Sequence, residues 1–192
     1  MSGNPSDESC GSVRRRDFLR TAAAGTAVLL ADPAVKAAWP AGTHPVVAEN
    51  ARPGTSDWQL TYVRFDAGGR SRSVEGFCSA TSVRPGESLD LFLSAAVETR
   101  ATCDLYRLGY YGGLGGRHVA RLGPQPVGPQ PEPEVGPNRL RECRWEKWAT
   151  LAVPTDWPSG VYLGKLATES DRNESYLIFI VRDDRPADLL FQ

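Results

Sequence analysis

The sequence has few of the residues that most catalytic and metal-binding sites need. Its 192 residues include only 2 histidines and 4 cysteines, and they form no Cys-x-x-Cys or His-x-x-x-His pair of the kind found in zinc sites. The formal net charge of -1 and the dispersed basic residues predict no nucleic-acid surface. Beyond the N-terminal region, no apolar run reaches the roughly 18 residues of a membrane-spanning helix. We therefore predict no catalytic residue, no metal ligand and no transmembrane helix in the mature chain.

The few histidines and cysteines also leave little room for nucleophilic catalysis. A serine triad would depend on His118, because His44 lies in a proline-rich arm, and a half-exposed strand histidine is the ordinary interpretation. Cys10 lies in the N-terminal region, which leaves Cys78, Cys103 and Cys143. We predict that all three are small buried residues with free thiols. The alternatives are that two of them form a disulfide or that one of them is a nucleophile.

An arginine cluster near the start is typical of a twin-arginine export signal. Arg15 and Arg16 form the pair, Phe18 and Leu19 follow as the apolar residues, and an alanine-rich stretch comes next. This order predicts a signal over residues 1–38, recognition by the twin-arginine export machinery and a periplasmic or extracellular location. The alternative is a basic, disordered tail. Residues 39–56 are predicted to be a disordered leader arm, because they are rich in proline, glycine and polar residues.

Short runs of branched and aromatic residues between turn formers predict an all-β fold over residues 57–184. This spacing is typical of an antiparallel sandwich of the immunoglobulin or fibronectin kind. Leu89, Leu91 and Leu93 share one strand face, and the last strand is apolar on both faces, so we expect it to be central. The expected strands are Trp58–Arg64, Val74–Val83, Ser88–Ala95, Ala101–Leu108, Arg117–Leu122, Arg139–Val153, Gly160–Thr168 and Ser175–Arg182.

Several aromatic residues have alternative interpretations. Trp157 and Tyr162 are predicted to pack at a turn, with the tyrosine hydroxyl bonded to the backbone. Trp145 and Trp148 are three residues apart, so in one strand they would point to opposite faces and could not form a single sugar-binding platform. The segment from Gly123 to Pro137 between these regions is rich in proline, and we expect it to run extended along the surface.

The stretch YRLGYYGGLGGR, from Tyr106 to Arg117, is the most unusual loop of the chain. A phosphate-binding glycine loop opens a helix, whereas the residues after this loop alternate as in a strand, which predicts a hairpin. Tyr110, Tyr111, Gly112 and Gly113 are the candidate interdomain docking loop, with both tyrosines at an exposed tip. The alternative is that one tyrosine folds back and caps the sandwich.

Together these stretches resemble one family, the large or beta subunit of N,N-dimethylformamidase and its bacterial relatives. The similarity runs from about Glu49 to Gln192, and its specific pieces are Tyr106-Arg107-Leu108-Gly109-Tyr110-Tyr111-Gly112-Gly113 and Asp156-Trp157-Pro158-Ser159-Gly160-Val161-Tyr162. Further pieces are Glu49-Asn50, Arg52-Pro53-Gly54-Thr55, Asp57-Trp58, Val74-Glu75-Gly76-Phe77, Thr81-Ser82-Val83, Pro85-Gly86-Glu87 and Val181-Arg182-Asp183-Asp184.

The resemblance implies an amidohydrolase that splits a formamide at a mononuclear iron held by tyrosine and glutamate side chains. It places that iron in an α/β domain after the sandwich, so no iron ligand carries over to this chain and no cofactor is expected in it. Residues 185–192 would be the linker and first strand of that domain. The expected function is the non-catalytic sandwich portion of such an enzyme, with the downstream α/β domain or a partner subunit as its partner. The alternative is a free-standing exported binding module for a carbohydrate or protein ligand.

Overall fold

Strands with branched and aromatic residues at alternate positions make up most of the regular structure. The computed structural model describes residues 45–184. Its elements are helix α1 (Pro45–Asn50), strands β1 (Val74–Cys78), β2 (Ser82–Val83), β3 (Ser88–Ala95), β4 (Thr99–Leu108), β5 (Gly116–Val127), β6 (Lys147–Ala152), β7 (Gly160–Thr168) and β8 (Glu174–Val181), and 3-10 turns at Tyr111–Gly113 and Pro137–Arg139.

The strands form two sheets that pack face to face. One sheet has the order β1-β3-β6 and the other has the order β2-β8-β7-β4-β5. The pairs are antiparallel except β2 with β8, where Ser82 and Val83 lie parallel to Ile180 and Val181. The prediction of an all-β sandwich is therefore confirmed.

The core lies between the two sheets, as the alternation in β3 predicts. Leu89, Leu91 and Leu93 are each at most 1% exposed, and they face buried residues of the opposite sheet such as Leu105 and Leu166. At one end of the core, Tyr162 stacks between Trp157 and Phe179, with centroid distances of 4.8 and 5.5 Å. The Tyr162 hydroxyl donates to the carbonyl of Pro158 at 2.7 Å, as predicted from the turn sequence.

Residues 58–64 were expected to be a strand, and this expectation is wrong. Side chains of the five-stranded sheet bind this segment in place of a strand partner. Lys165 Nζ donates to the carbonyl of Gln59 at 2.9 Å, and the Tyr176 hydroxyl donates to the carbonyl of Trp58. The backbone N–H of Thr61 donates to Glu174 at 2.7 Å. One backbone bond is added, from the N–H of Glu174 to the carbonyl of Tyr62 at 3.0 Å. Because the other bonds use side chains, the segment lies on the sheet without joining its ladder.

The proline-rich insertion begins and ends later than expected, at residues 128–146, and it lies on the three-stranded sheet. β5 continues through Gly123 to Val127, and only Lys147–Ala152 of the expected strand Arg139–Val153 is a strand. Trp145 packs on the ring of Phe77 at 5.3 Å, and its Nε1 donates to the carbonyl of Pro131. Arg70 and Arg72 both form ion pairs with Glu132, at 2.8 and 2.5 Å.

Burial corrects one further expectation, and the sheet order confirms another. Cys103 is fully buried, but Cys78 is half-buried and Cys143 is exposed, so only one of the three cysteines fits the prediction of burial. The expectation that the last strand is central is confirmed, because β8 lies between β2 and β7, but only one of its two apolar faces is covered: Ile178 and Ile180 are 59% and 45% exposed. The second apolar face of β8 therefore remains at the surface of the described structure.

The folded part begins before residue 57, inside the segment predicted to be an arm. Helix α1 occupies Pro45–Asn50, and the side chain of Glu49 is only 3% exposed. A single hydrogen-bonded bridge also joins Thr55 to Gly116 at the start of β5. The predicted signal over residues 1–38, with Arg15, Arg16, Phe18 and Leu19, and the predicted linker at residues 185–192 lie outside the described residues.

Candidate functional site

Residues 109–115, which we call the glycine loop, connect β4 to β5 as a hairpin, as the sequence predicts. Its backbone turns through positive φ angles at Tyr111 (41°), Gly112 (67°), Gly113 (91°) and Gly115 (84°). Such angles favour glycine, which explains the composition of the loop without a phosphate ligand. The residues that follow the loop enter β5, so the helix N-terminus of a phosphate-binding loop is missing here.

The two adjacent tyrosines of the loop have opposite environments. Tyr110 is 71% exposed, whereas Tyr111 is 1% exposed. The prediction that both tyrosines lie at an exposed tip is therefore wrong for Tyr111, and the alternative of a tyrosine folded back against the sandwich is the one observed. The backbone of Tyr111 is strained in this conformation, because a positive φ is unfavourable for a residue other than glycine.

The buried hydroxyl of Tyr111 connects two oppositely charged side chains. It donates to Glu49 Oε1 at 2.8 Å and accepts from Arg107 Nη1 at 2.9 Å. Glu49 also accepts from Arg117 Nε at 2.6 Å and forms an ion pair with Arg52 at 3.3 Å. These five residues, which we call the Tyr111 network, join helix α1 to both strands of the hairpin.

The protonation states follow from burial and from the neighbouring charges. Burial alone would raise the pKa of Glu49, but the hydrogen bonds from Arg117 and Tyr111 and the charges of Arg117 and Arg52 outweigh it, and the pKa is lowered. Burial raises the pKa of Tyr111, and its bond to Glu49 adds to this effect while Arg107 opposes it. At neutral pH, Glu49 is thus an anion and Tyr111 keeps the proton that it donates.

Residues before the sandwich also hold the loop backbone. The Tyr110 N–H donates to Asn50 Oδ1 at 2.8 Å. Trp58 Nε1 donates to the carbonyl of Leu114 at 2.9 Å, and a Cβ at Gly116 would lie only 2.6 Å from the Trp58 ring. The segment from helix α1 to Trp58 therefore fixes a loop that is remote from it in sequence.

The outer surface of this fixed loop is apolar and open. Leu114 is 46% exposed beside the exposed Tyr110. A Cβ added at Gly112 or Gly113 would meet nothing within 4 Å. An aromatic and an aliphatic side chain on a fixed backbone suit a contact surface, because little conformational freedom is lost on binding.

The other residues singled out in the sequence have structural contacts in the described part of the chain. His118 Nε2 lies 2.9 Å from Asp104, which also binds Arg121 at two oxygens, and the imidazole packs against the ring edge of Tyr106. Trp148 packs against the core, apart from Trp145 on the outer face. Across residues 45–184, no helix is long and apolar enough to span a membrane.

The family model for "N,N-dimethylformamidase beta subunit-like, C-terminal" matches residues 102–192. The resemblance to the N,N-dimethylformamidase beta subunit is thereby confirmed over these residues. The match begins in β4 and includes the glycine loop, Arg107 and Arg117, whereas Glu49, Asn50 and Trp58 precede it. No curated protein matches the chain.

The solved structures that match this chain include Spo0M, a sporulation control protein from Bacillus subtilis. Its TM-score is 0.34 at 10% identity, over 58% of this chain and 49% of that chain. The present chain thus spans about half the length of Spo0M.

The iron implied by the resemblance does not fit the Tyr111 network. Tyr111 and Glu49 are the expected ligand types, but Tyr111 keeps its proton, and arginine donors occupy the oxygens that a cation would need. Within residues 45–184, no group of three or more His, Cys, Asp and Glu side chains could hold a metal ion.

Sequence reasoning missed Glu49, Asn50, Arg107 and Arg117 as the residues that hold the loop. Glu49-Asn50 was noticed only as part of the resemblance, and its position in a proline-rich arm gave no sign of burial. A signal was available in Arg107, a charged residue inside an otherwise apolar strand end, because a buried arginine needs partners from elsewhere.

Proposed function

We propose that this chain is the non-catalytic β-sandwich portion of an N,N-dimethylformamidase-like amidohydrolase, and that its glycine loop docks onto the catalytic part of that enzyme. The observation that carries the proposal is the contrast between Tyr110 and Tyr111. Tyr111 and its charged partners hold the loop, and Tyr110 with Leu114 remains free to contact another surface. The family description itself refers to a beta subunit, which agrees with a partner.

In this proposal, catalysis and the iron belong to an α/β domain downstream or on a partner subunit. That domain would supply the tyrosine and glutamate ligands, and the sandwich would support and orient it. The resemblance to the amidohydrolase family is the basis for the iron, and the lack of fit at the Tyr111 network is the reason to place the iron elsewhere.

The docking test compares two exposed tyrosines on the same domain. The catalytic α/β polypeptide is produced separately and titrated with the purified chain by calorimetry. Tyr110→Ser should raise the Kd at least about tenfold, as expected for a central interface aromatic. Tyr62→Ser, which removes a ring that is 48% exposed elsewhere, should leave the Kd unchanged. Wild-type affinity of Tyr110→Ser would refute docking through this loop.

We also propose that the chain is exported through the twin-arginine pathway. The support is the order of Arg15 and Arg16 before Phe18 and Leu19. Replacing both arginines by lysine keeps the charge but removes the pair, so the protein should accumulate in the cytoplasm when cells are fractionated. Unchanged export of this double variant would remove the signal assignment.

A free-standing binding module is the second candidate, and a groove between the end of β5 and the start of β6 favours it. The groove has a volume of about 560 Å³ and is lined by Trp148, Pro126, Pro129, Glu98 and Arg144, among others. An aromatic ring beside charged groups is a common setting for a polar ligand. Binding of a soluble oligosaccharide that is lost in Trp148→Ala, with wild-type docking behaviour of Tyr110→Ser, would favour this candidate over the first.

A further inference from the structure

Two cysteines face the core from opposite sheets. Cys103 lies in β4 of the five-stranded sheet and is fully buried. Cys78 ends β1 of the three-stranded sheet, and it packs against the same core cluster. Cys78 shares a strand face with Val74, which is also fully buried, so its thiol points toward the opposite sheet.

Gly76 allows a close approach of the two sheets beside these thiols. A Cβ at Gly76 would lie 2.9 Å from Leu166 Cδ1, and Leu166 stands opposite Cys103 in the β4–β7 pair. Within the five-stranded sheet, a Cβ at Gly164 would lie 2.7 Å from Cys103 Sγ. The Cys103 thiol thus occupies space that Gly164 leaves open, next to the strand that β1 approaches.

The electrostatics agree with this proximity. Burial raises the pKa of Cys103, and a negative charge on Cys78 would raise it further. Burial raises the pKa of Cys78 to about 12. Thiols with raised pKa values are poor nucleophiles at neutral pH, which fits a structural role better than a catalytic one.

We propose that Cys78 and Cys103 form an inter-sheet disulfide when the chain folds in the presence of a disulfide oxidant. A small disulfide such as oxidised glutathione first exchanges with the half-buried Cys78, forming a mixed disulfide and releasing one glutathione thiol. Before the sheets close and burial raises its pKa, the thiolate of Cys103 attacks the sulfur of Cys78 and displaces the second glutathione thiol. Two protein thiols are oxidised to one disulfide, and one oxidant disulfide is reduced to two thiols.

This bond would join the two sheets next to the strand that carries the glycine loop. β4 leads directly into Tyr110 and Tyr111, whereas β1 follows the segment that contacts the loop from the other side. The closed loop has about 25 residues, a length at which a bridge restricts the unfolded chain substantially. The proposal does not depend on docking, because it concerns the stability of the sandwich itself.

The test uses the full chain with Cys10→Ser and Cys143→Ser, which leaves only the proposed pair. The protein is refolded from urea in a glutathione redox buffer, so that burial cannot protect the thiols, and it is then alkylated under denaturing conditions. We expect no alkylation, an intact mass about 2 Da below that of the reduced protein, and a linked peptide pair that separates on reduction. The oxidised protein should also unfold at a higher urea concentration than the reduced one.

A matched variant with Cys78→Ser in addition should take up one alkyl group and show no change of urea midpoint with oxidant. Two alkyl groups per chain in the paired variant after oxidative refolding would overturn the proposal. Glutathione held at either cysteine without an internal bridge would overturn it as well. A bridge that forms but lowers the urea midpoint would show that the thiols are not aligned in the native sandwich, which also contradicts the proposal.

Discussion

In the Tyr111 network, one hydroxyl group forms hydrogen bonds with two buried, oppositely charged side chains. Glu49 and Arg107 do not bind each other directly, and the Tyr111 hydroxyl lies between them as donor to one and acceptor from the other. Both side chains are 3% exposed, so water does not readily replace the hydroxyl. Removing it therefore leaves a buried donor and a buried acceptor with fewer partners, which costs more than the net value of a typical hydrogen bond.

Loss of the hydroxyl should therefore affect the two tyrosines of the loop differently. Tyr111→Phe should lower the free energy of unfolding by about 1–3 kcal/mol. Tyr110→Phe removes a solvent-exposed hydroxyl and should change it by at most about 0.5 kcal/mol. Urea unfolding of both variants, followed by tryptophan fluorescence, measures the difference. Equal stabilities of the two variants would mean that the buried hydroxyl does not stabilise the loop.

The lowered pKa of Glu49 predicts a pH-dependent contribution to stability. Because the folded-state pKa lies below the ordinary value of about 4.3, folding favours the charged form. The stabilisation is complete above that ordinary value, and it is lost as the pH falls through the lower folded-state pKa. Glu49→Gln, which keeps the shape, should therefore be less stable than the wild type at pH 7 by about 2 kcal/mol.

The same variant should approach the wild type as the pH falls toward 3. The measurement is the urea midpoint of both proteins between pH 7 and pH 3. Asp66→Asn is a control at an exposed carboxylate that also has a lowered pKa, and its effect should be smaller at every pH because water screens it. A stability gap for Glu49→Gln that stays constant or widens at low pH would contradict the assignment of Glu49 as a buried anion.

At the scale of elements, the alternation of apolar and polar residues correctly predicts strands that pair with other strands. It fails for a segment whose backbone is bound by side chains instead of by a neighbouring strand. The expected strand Gly160–Thr168 is the observed β7, and the face with Leu89, Leu91 and Leu93 is the buried one. Residues 58–64 have strand-like composition, but Lys165 and Glu174 bind their backbone groups. No local pattern in residues 58–64 reveals these partners, because they lie more than 100 positions away.

The same limit explains why helix α1 and the loop were not linked from the sequence. A turn of glycines predicts positive φ angles and a hairpin, and both are observed. The burial of Tyr111 instead depends on Glu49, which lies 62 positions away. The loop shape was thus predictable from local composition, whereas the choice of which tyrosine is buried required the tertiary contact.

The contact between helix α1 and the loop predicts an effect of adding one methyl group. A Cβ at Gly109 would collide with the side-chain amide of Asn50 and would lie 2.9 Å from the Tyr111 ring. Gly109→Ala should therefore displace helix α1 and lower the urea midpoint. In an Asn50→Ala background the same change should cost less, because one of the two colliding groups is gone. Additive effects of the two substitutions would show that helix α1 does not contact the loop in solution.

At the scale of the molecule, segments outside the sandwich core contact both of its outer faces. Trp58 and the residues after it cross the five-stranded sheet, and Trp145 with Glu132 holds the proline-rich insertion on the three-stranded sheet. The exposed apolar residues at the glycine loop, Tyr110 and Leu114, lie where Trp58 and helix α1 contact the hairpin. Among residues 45–184 nothing covers the outer side of the loop, which agrees with the proposed docking role.

The location of catalysis gives the last prediction. An iron-dependent amide hydrolysis needs a metal with an open coordination position and a set of ligands that leaves room for substrate. In the described part of this chain, the tyrosine and glutamate closest to that ligand type are held by arginines, whose charges oppose a cation. The purified chain, incubated with ferrous or ferric iron and dialysed, should retain well below one iron per chain and release no amine from N,N-dimethylformamide.

The double variant Arg107→Met with Arg117→Met is the control, because it removes the two positive charges that oppose a cation. Weak iron binding that appears only in this variant would support the electrostatic argument. One tightly bound iron per wild-type chain, together with turnover, would place the active site in this chain and would contradict the non-catalytic role.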